Sequence, residues 1–192
     1  VTIARKSPLH YGWVIVLSGG LTLFACLGLA RFAFGLLLPA MRQGLALGYD
    51  QMGLISTGNF IGYLLAVALS PWLIRRYRPR AVIFCGLLLV CLCMLLISRA
   101  ETLVTLVVFY GLVGAGSGFA NIPTMVLVSH WFRRNKRGQA AGLIIAGNGL
   151  AIILAGLVVP ALNTAYGWRS SWMVLALVSL LAAVFALLVV RN

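Results

Sequence analysis

Six apolar runs, at about 11–39, 52–74, 81–98, 103–129, 140–160 and 171–190, take up most of this chain of 192 residues. Each is close to or above the roughly 20 residues that a helix needs to cross the hydrocarbon of a bilayer. Composition agrees with spans rather than buried core elements: 62% of residues are apolar and 9% are charged, where a soluble domain carries about a quarter charged residues. The expected fold class is all-α, a polytopic membrane protein of six transmembrane helices occupying residues 1–192 as one bundle. The connections between runs leave no room for a soluble domain.

A net charge of +13 would point to nucleic acid in a soluble protein, since clustered Lys and Arg neutralise phosphates. Here the positions of the charges say otherwise. With the N-terminus threaded into the cytoplasm, the inner segments hold Arg5, Lys6, Arg75, Arg76, Arg78, Arg80, Arg133, Arg134, Lys136, Arg137 and Arg191, and the outer loops hold Arg42, Arg99 and Arg169. Positive loops resist translocation, so most of the charge is a topology signal that puts both termini inside and excludes a nucleic-acid partner. Both acidic residues, Asp50 and Glu101, fall in outer loops.

The cysteines Cys26, Cys85, Cys91 and Cys93 lie inside apolar spans with no histidine at ligand spacing. Buried free cysteine behaves as a small hydrophobe, and neither metal nor cofactor is expected. The first span follows Arg5 and Lys6 as a signal peptide's apolar stretch would, but its length exceeds the 7 to 15 residues or so of such a stretch. Trp13, Trp72, Trp131, Trp168 and Trp172 fall near span ends, where they read as interface anchors.

Small residues recur at four-residue spacing: Gly58, Gly62, Ala66 and Ser70; Gly114 and Gly118; Gly138, Gly142 and Ala146; Gly147, Ala151 and Ala155. Such lines let helix backbones approach closely in lipid. Two groups of three spans, each an odd number, put the second triplet in the membrane upside down relative to the first, a pattern compatible with the 3+3 inverted repeats of many secondary transporters.

Arg31, in GLARFAFGLLLP (28–39), is the sharpest single feature. A charge at a helix centre costs about 2.5 to 3.5 kcal/mol or more, so intramembrane arginines face a bundle interior or a cavity and have a partner. Pro39 lies eight residues on, about 12 Å along a helix, which makes snorkelling to the outer interface a long reach. The remaining partners are a carboxylate from another bundle, carbonyls and amides of neighbouring helices, or an anionic substrate, whose planar oxygens suit the guanidinium fork. Stripes at three- and four-residue steps could meet Arg31 in a cavity: Ser56, Asn59 and Tyr63 in the second span, Ser117, Asn121 and Thr124 in the fourth, and Asn148 in the fifth. The same stripes could instead hold helices together through interhelical hydrogen bonds. Pro123 could bend the fourth span. No Asp or Glu lies inside a span, and His10 and His130 sit at inner ends.

GLARFAFGLLLPAM (28–41) followed by STGNFIGYLLAV (56–67) resembles the first two helices of the major facilitator superfamily, and in particular its YbfB/YjiJ-type branch. The stretch from Gly111 to Ala151 and GWRSSW (167–172) resemble helices four to six of members that include monocarboxylate and oxalate/formate carriers. The resemblance implies the N-terminal six-helix half of a twelve-helix bacterial inner-membrane transporter, whose partner is a second six-helix half. It also implies that the chain, running from Val1 to Asn192, is a fragment of a longer one, with a natural half-size protein acting as a dimer as the alternative. The sequence departs from the family pattern in three places. RRYRPR (75–80) has Arg75 where the loop between helices two and three carries its acidic brace and Arg78 where it carries glycine; Leu112 stands at the helix-four arginine position; and Gly147–Asn148 stands at the antiporter Gly-Pro pair.

Together these features predict a secondary active transporter of a small organic anion such as a monocarboxylate, not an enzyme, with Arg31, Asn59, Tyr63, Ser117, Asn121, Thr124 and Asn148 at the substrate and Arg75, Arg76, Arg78 and Arg80 forming a cytoplasmic loop motif. The competing classes are a non-transporting membrane subunit and an intramembrane enzyme. For the latter, Ser117 in GAGSG would be the nucleophile, although Ala115 replaces the first glycine of a G-x-S-G turn and no histidine lies in a late span to serve as its base.

Overall fold

The computed structural model describes residues 11–189. They form α1 (Tyr11–Leu23), a π-helical segment (Phe24–Phe32), α2 (Ala33–Leu45), α3 (Tyr49–Arg76), α4 (Pro79–Ser98), α5 (Leu103–Trp131) and α6 (Arg137–Val189). Within α6 the helix breaks at Gly167, whose φ of 79° and ψ of 168° suit a residue without a Cβ. Since α1, the π segment and α2 are one continuous rod, six rods result, in agreement with six spans.

The rods are longer than the apolar runs. The first continues past Pro39 to Leu45, and α3 runs through Pro71 to Arg76. Prolines are tolerated inside such helices because neighbouring helices and local adjustments satisfy the freed backbone groups. The loop expected at 161–170 shrinks to Gly167 alone, because residues 161–166 are helical and only the glycine needs the left-handed region.

Helix starts carry recognisable caps. Pro79 opens α4 at its first position, where its missing N–H is no loss. The Thr102 hydroxyl accepts from Thr105 N at 3.3 Å to start α5, and the Gly48 N–H donates to Gln51 Oε1 at 3.0 Å at the start of α3.

The two ends of the bundle are set by contacts far apart in sequence. At one end Arg169 Nη2 donates to the Ala100 carbonyl at 3.2 Å, its guanidinium lying 4.2 Å over the Trp168 ring. At the other, Arg80 donates to the Leu187 carbonyl. The RRYRPR turn, the 132–136 turn and the far end of α6 thus share one face, and 46–48, 99–102 and Gly167 share the other. Arg75, Arg76 and Arg78 are exposed, while Arg80 is half-buried against α6.

The helix α5 lies between α3 and α4, which barely touch each other; α4 also packs on α6, and α1 with the π segment packs on α6. Small residues make the α3/α5 crossing: a Cβ at Gly62 would land on the Gly111 carbonyl oxygen, and one at Gly114 on the Asn59 carbonyl oxygen. The Gly147, Ala151 and Ala155 line does the same against the first rod, where a Cβ at Gly28 would overlap Ala151 and one at Gly147 would meet Gly20. In contrast, Gly138 and Gly142 have nothing within 4 Å of an added Cβ, so that line is not a packing seam of this bundle.

Two of the tryptophans are not interface anchors. Trp168 is buried and Trp172 is fully enclosed, its Nε1 donating to Met41 Sδ at 3.4 Å, whereas Trp13, Trp72 and Trp131 are exposed. The pull of the α4/α6 and α2/α6 contacts turns the start of α6's second limb inward, which position near a span end does not reveal. Cys26, Cys91 and Cys93 are buried, Cys85 is exposed, and all four are free thiols.

Candidate functional site: a cationic cavity at mid-bundle

Arg31 occupies the last turn of the π segment. A π turn is uncommon and leaves main-chain carbonyls off the ordinary α-helical ladder. Two side chains of α5 take up such carbonyls: the Ser117 hydroxyl donates to the Cys26 carbonyl at 2.7 Å and the Tyr110 hydroxyl to the Arg31 carbonyl at 3.1 Å. Seven residues apart on α5, they fall on one face and hold both ends of the π segment.

Tyr110 is itself locked. Its ring stacks on Phe34 with centroids 4.2 Å apart and meets Trp172 edge-on at 6.4 Å, while its carbonyl accepts from Asn59 Nδ2 at 2.8 Å. Tyr110 therefore ties together the backbone that carries Arg31 and the amide of Asn59.

The Arg31 guanidinium lies 4.2 Å over the Phe60 ring and 4.9 Å over the Tyr63 ring, both on α3. Phe60 is eleven residues in from Tyr49, about 16 Å along the helix, so the charge sits near the middle of the bundle rather than at its outer end. Two aromatic faces lower the cost of the cation through their quadrupoles. Among the described residues no carboxylate pairs with it, and Asp50 and Glu101 are exposed.

Arg31 opens onto a cavity of about 530 Å³ bounded by Leu27, Arg31, Phe32, Phe34, Gly35, Ser56, Asn59, Phe60, Tyr110 and Asn148. The predicted residues fall into three groups around it. Arg31, Asn59 and Asn148 line the wall, with Ser56 beside them. Tyr63 and Asn121 stand behind the guanidinium, Asn121 Nδ2 donating to the Tyr63 hydroxyl at 2.9 Å. Ser117 and Thr124 are buried and away from the wall: Ser117 also donates to the Val113 carbonyl at 2.8 Å, and Thr124 to the Ala120 carbonyl at 2.7 Å. Their helical spacing from Asn121 was right, but the α3 and α1 contacts of α5 turn that face into the packing.

Tyr110 and Phe60 are the residues that sequence reasoning missed. An aromatic in an apolar run carries no signal of its own, and only the crossing of α5 with the first rod brings the Tyr110 hydroxyl to Arg31. Ser117, the one residue in a nucleophile-like setting, has its hydroxyl committed to main-chain carbonyls. His130, the histidine among the described residues, is thirteen residues along the same helix, about 20 Å away. No group of three or more His, Cys, Asp or Glu side chains that could hold a metal occurs among the described residues.

Long apolar helices packed around an open, largely apolar cleft that carries a cation partway along the bundle are an arrangement known from membrane transporters. The sequence model of the Major Facilitator Superfamily matches residues 20–192, and the chain belongs to that superfamily. Among curated proteins, the chain is 26% identical over 156 residues to the hexuronate transporter of Bacillus subtilis, covering 81% of this chain and 37% of that one. It is 28% identical over 172 residues to monocarboxylate transporter 11 of Mus musculus, covering 88% and 38%, and 27% identical over 169 residues to a phosphoglycerate transporter protein of Salmonella typhimurium, covering 84% and 35%. The chain thus spans little more than a third of the length of these relatives. A crystal structure of the peptide transporter POT in complex with sulfate superposes with a TM-score of 0.75 at 18% identity, over 96% of this chain and 38% of that one, which supports the fold.

Proposed function

We propose that this bundle is one six-helix half of a secondary active transporter that carries a small organic anion by alternating access, with the anion held at Arg31. The observation that carries the reading is a guanidinium at mid-bundle, open to a cavity of about 530 Å³, with no carboxylate partner among the described residues. A carboxylate bound there would meet planar donors on a cation already stacked on Phe60 and Tyr63, and charge-assisted hydrogen bonds are strong. Ser56, Asn59 and Asn148 supply the neutral polar contacts. The relatives named for hexuronate, monocarboxylate and phosphoglycerate transport support a small anionic cargo without distinguishing among these classes.

A second six-helix bundle, on the same chain or a dimer partner, completes the cavity. Its support is the row of exposed apolar residues on α3 (Phe60, Leu64) and on the first limb of α6 (Leu150, Leu157) flanking the polar site. The excess of positive charge in the RRYRPR and 132–136 turns supports placing that end in the cytoplasm of a bacterial inner membrane.

The experiment is uptake of labelled organic anions by the full-length transporter with Arg31→Ala. Hydrogen bonds to charged groups contribute about 1.5–3 kcal/mol, so uptake should fall by about 10- to 100-fold at normal expression. Unchanged uptake at normal expression removes the anion site from Arg31.

A further inference from the structure

On the side of α5 turned away from the Arg31 cavity, α3 and α4 barely touch and leave a slot of about 430 Å³ between them. Leu73 and Tyr77, at the end of α3, form one wall; Ala81, Cys85 and Leu89 of α4, at four-residue steps, form the other; Phe119 of α5 is the floor. Phe119 stands nine residues from Tyr110, about two and a half helical turns, and so on the opposite face of α5 from the hydroxyl that meets Arg31. The slot stays open because α4 is pressed onto α5 rather than α3: a Cβ at Gly86 would come within 2.7 Å of the Gly116 carbonyl oxygen and 2.8 Å of the Ala120 nitrogen.

The walls are apolar and the mouth is cationic. From Ala81 to Leu89 the slot runs about 12 Å along α4, close to half of a hydrocarbon core roughly 30 Å thick, so its depth matches an acyl chain of one leaflet. At the mouth Arg75, Arg76 and Arg78 are exposed, and α4 starts at Pro79 with the positive end of its dipole at the same level. Trp72 and Tyr77, both exposed, are the residue types that mark the headgroup interface. The acidic residues Asp50 and Glu101 lie at the other end of the bundle. A topology signal needs the charges but not an apolar slot leading down from them. A helix of a second bundle fits less well, because α4 lines no part of the cavity which that bundle would complete.

We infer that this slot binds an anionic phospholipid, with one acyl chain along Cys85 and Leu89 and the phosphate on Arg75, Arg76 and Arg78. Basic pockets between transmembrane helices at the cytoplasmic side recognise such headgroups by charge. The site is independent of the cargo held at Arg31.

Native mass spectrometry of the detergent-solubilised full-length transporter, titrated with dioleoylphosphatidylglycerol or dioleoylphosphatidylcholine, separates headgroup from tail. Phosphatidylglycerol should bind about 10- to 100-fold more tightly, as two or three arginines at a membrane surface supply. Arg75→Gln, Arg76→Gln and Arg78→Gln together should bring that ratio close to one, whereas Arg133→Gln, Arg134→Gln and Lys136→Gln in the other basic turn should leave it unchanged. Cys85→Trp, at an exposed position, should fill the slot and weaken both lipids about 10-fold through lost methylene burial, at an unchanged thermal midpoint. Ala81→Leu reads the same filling if the tryptophan lowers that midpoint. In delipidated protein Cys85 should react with N-ethylmaleimide, read by peptide mapping, and phosphatidylglycerol should slow the reaction. Equal binding of the two lipids, or equal losses from the two basic turns, would reduce the site to diffuse surface charge and overturn it. Normal lipid binding by both slot-filling variants would remove the acyl chain from the slot, and a Cys85 unreactive without lipid would mean that another part of the chain covers it; either result overturns the proposal.

Discussion

Arg31 is tolerated in an apolar helix because three kinds of contact share its charge and its backbone. Phe60 and Tyr63 stack against the guanidinium, the Tyr110 hydroxyl donates to its main-chain carbonyl, and the side chain borders the cavity. Removing one of these should loosen the site without unfolding the bundle. Tyr110→Phe keeps the stack on Phe34 and loses only the hydroxyl, so by the hydrogen-bond energies measured between membrane helices stability should fall by about 0.6 kcal/mol. Unfolding in mixed micelles reads that change; the KM for the transported anion should rise at the same time while the expression level holds. A Tyr110→Phe protein with normal stability and normal KM would remove Tyr110 from the positioning of Arg31. Arg31→Lys is not a conservative change here, since a point charge lacks the planar fork and stacks less well on two rings. Its uptake should lie well below the unsubstituted level, as a transport assay beside Arg31→Ala would register.

The elements meet through backbone rather than side chains. At the α3/α5 crossing, Gly62 and Gly114 leave space that a methyl group would fill with a main-chain carbonyl already in it. Gly62→Ala should therefore force the two helices apart, at a cost of about 1–3 kcal/mol for overpacking, seen as a lower thermal midpoint on size-exclusion melting. Gly53→Ala, with nothing within 4 Å of the added carbon, should be neutral or stabilising by up to about 1 kcal/mol through helix propensity. Equal behaviour of the two variants would count against the crossing. The π segment adds a second element-level dependence. Its carbonyls at Cys26 and Arg31 are held by Ser117 and Tyr110, so the combined Ser117→Ala and Tyr110→Phe variant should lose more function than the sum of the singles, by the logic of residues sharing one network.

For the molecule as a whole, the arrangement of charge makes a topological statement. One end carries the RRYRPR and 132–136 turns, and the other carries Glu101 and the Gly167 break. In a background lacking the native cysteines, Asn135→Cys should react with an impermeant maleimide only from the cytoplasmic side, and Glu101→Cys only from outside. The reverse labelling would invert the bundle. The six apolar runs, the polarity of the loops and the isolated cation at Arg31 were legible in the sequence because each follows from local composition measured against one uniform solvent, the bilayer. The small-residue lines were half legible: spacing marks a smooth face, but Gly138 and Gly142 present one that packs on nothing in this bundle, and spacing cannot say which face finds a neighbour.

Transfer free energy into lipid is additive along the chain, and so the number of rods, their membrane setting and the depth of the unpaired charge are settled residue by residue in the primary structure. Which side chains surround that charge is not additive. The crossing of α5 with the first rod sends Ser117 and Tyr110 to main-chain carbonyls of a π turn, turns Thr124 into the packing, buries Trp168 and Trp172, and leaves Arg31, Asn59 and Asn148 on one cavity wall. Those outcomes depend on the rotation of each helix about its axis, which only close backbone contact at Gly28, Gly62, Gly114 and Gly147 specifies.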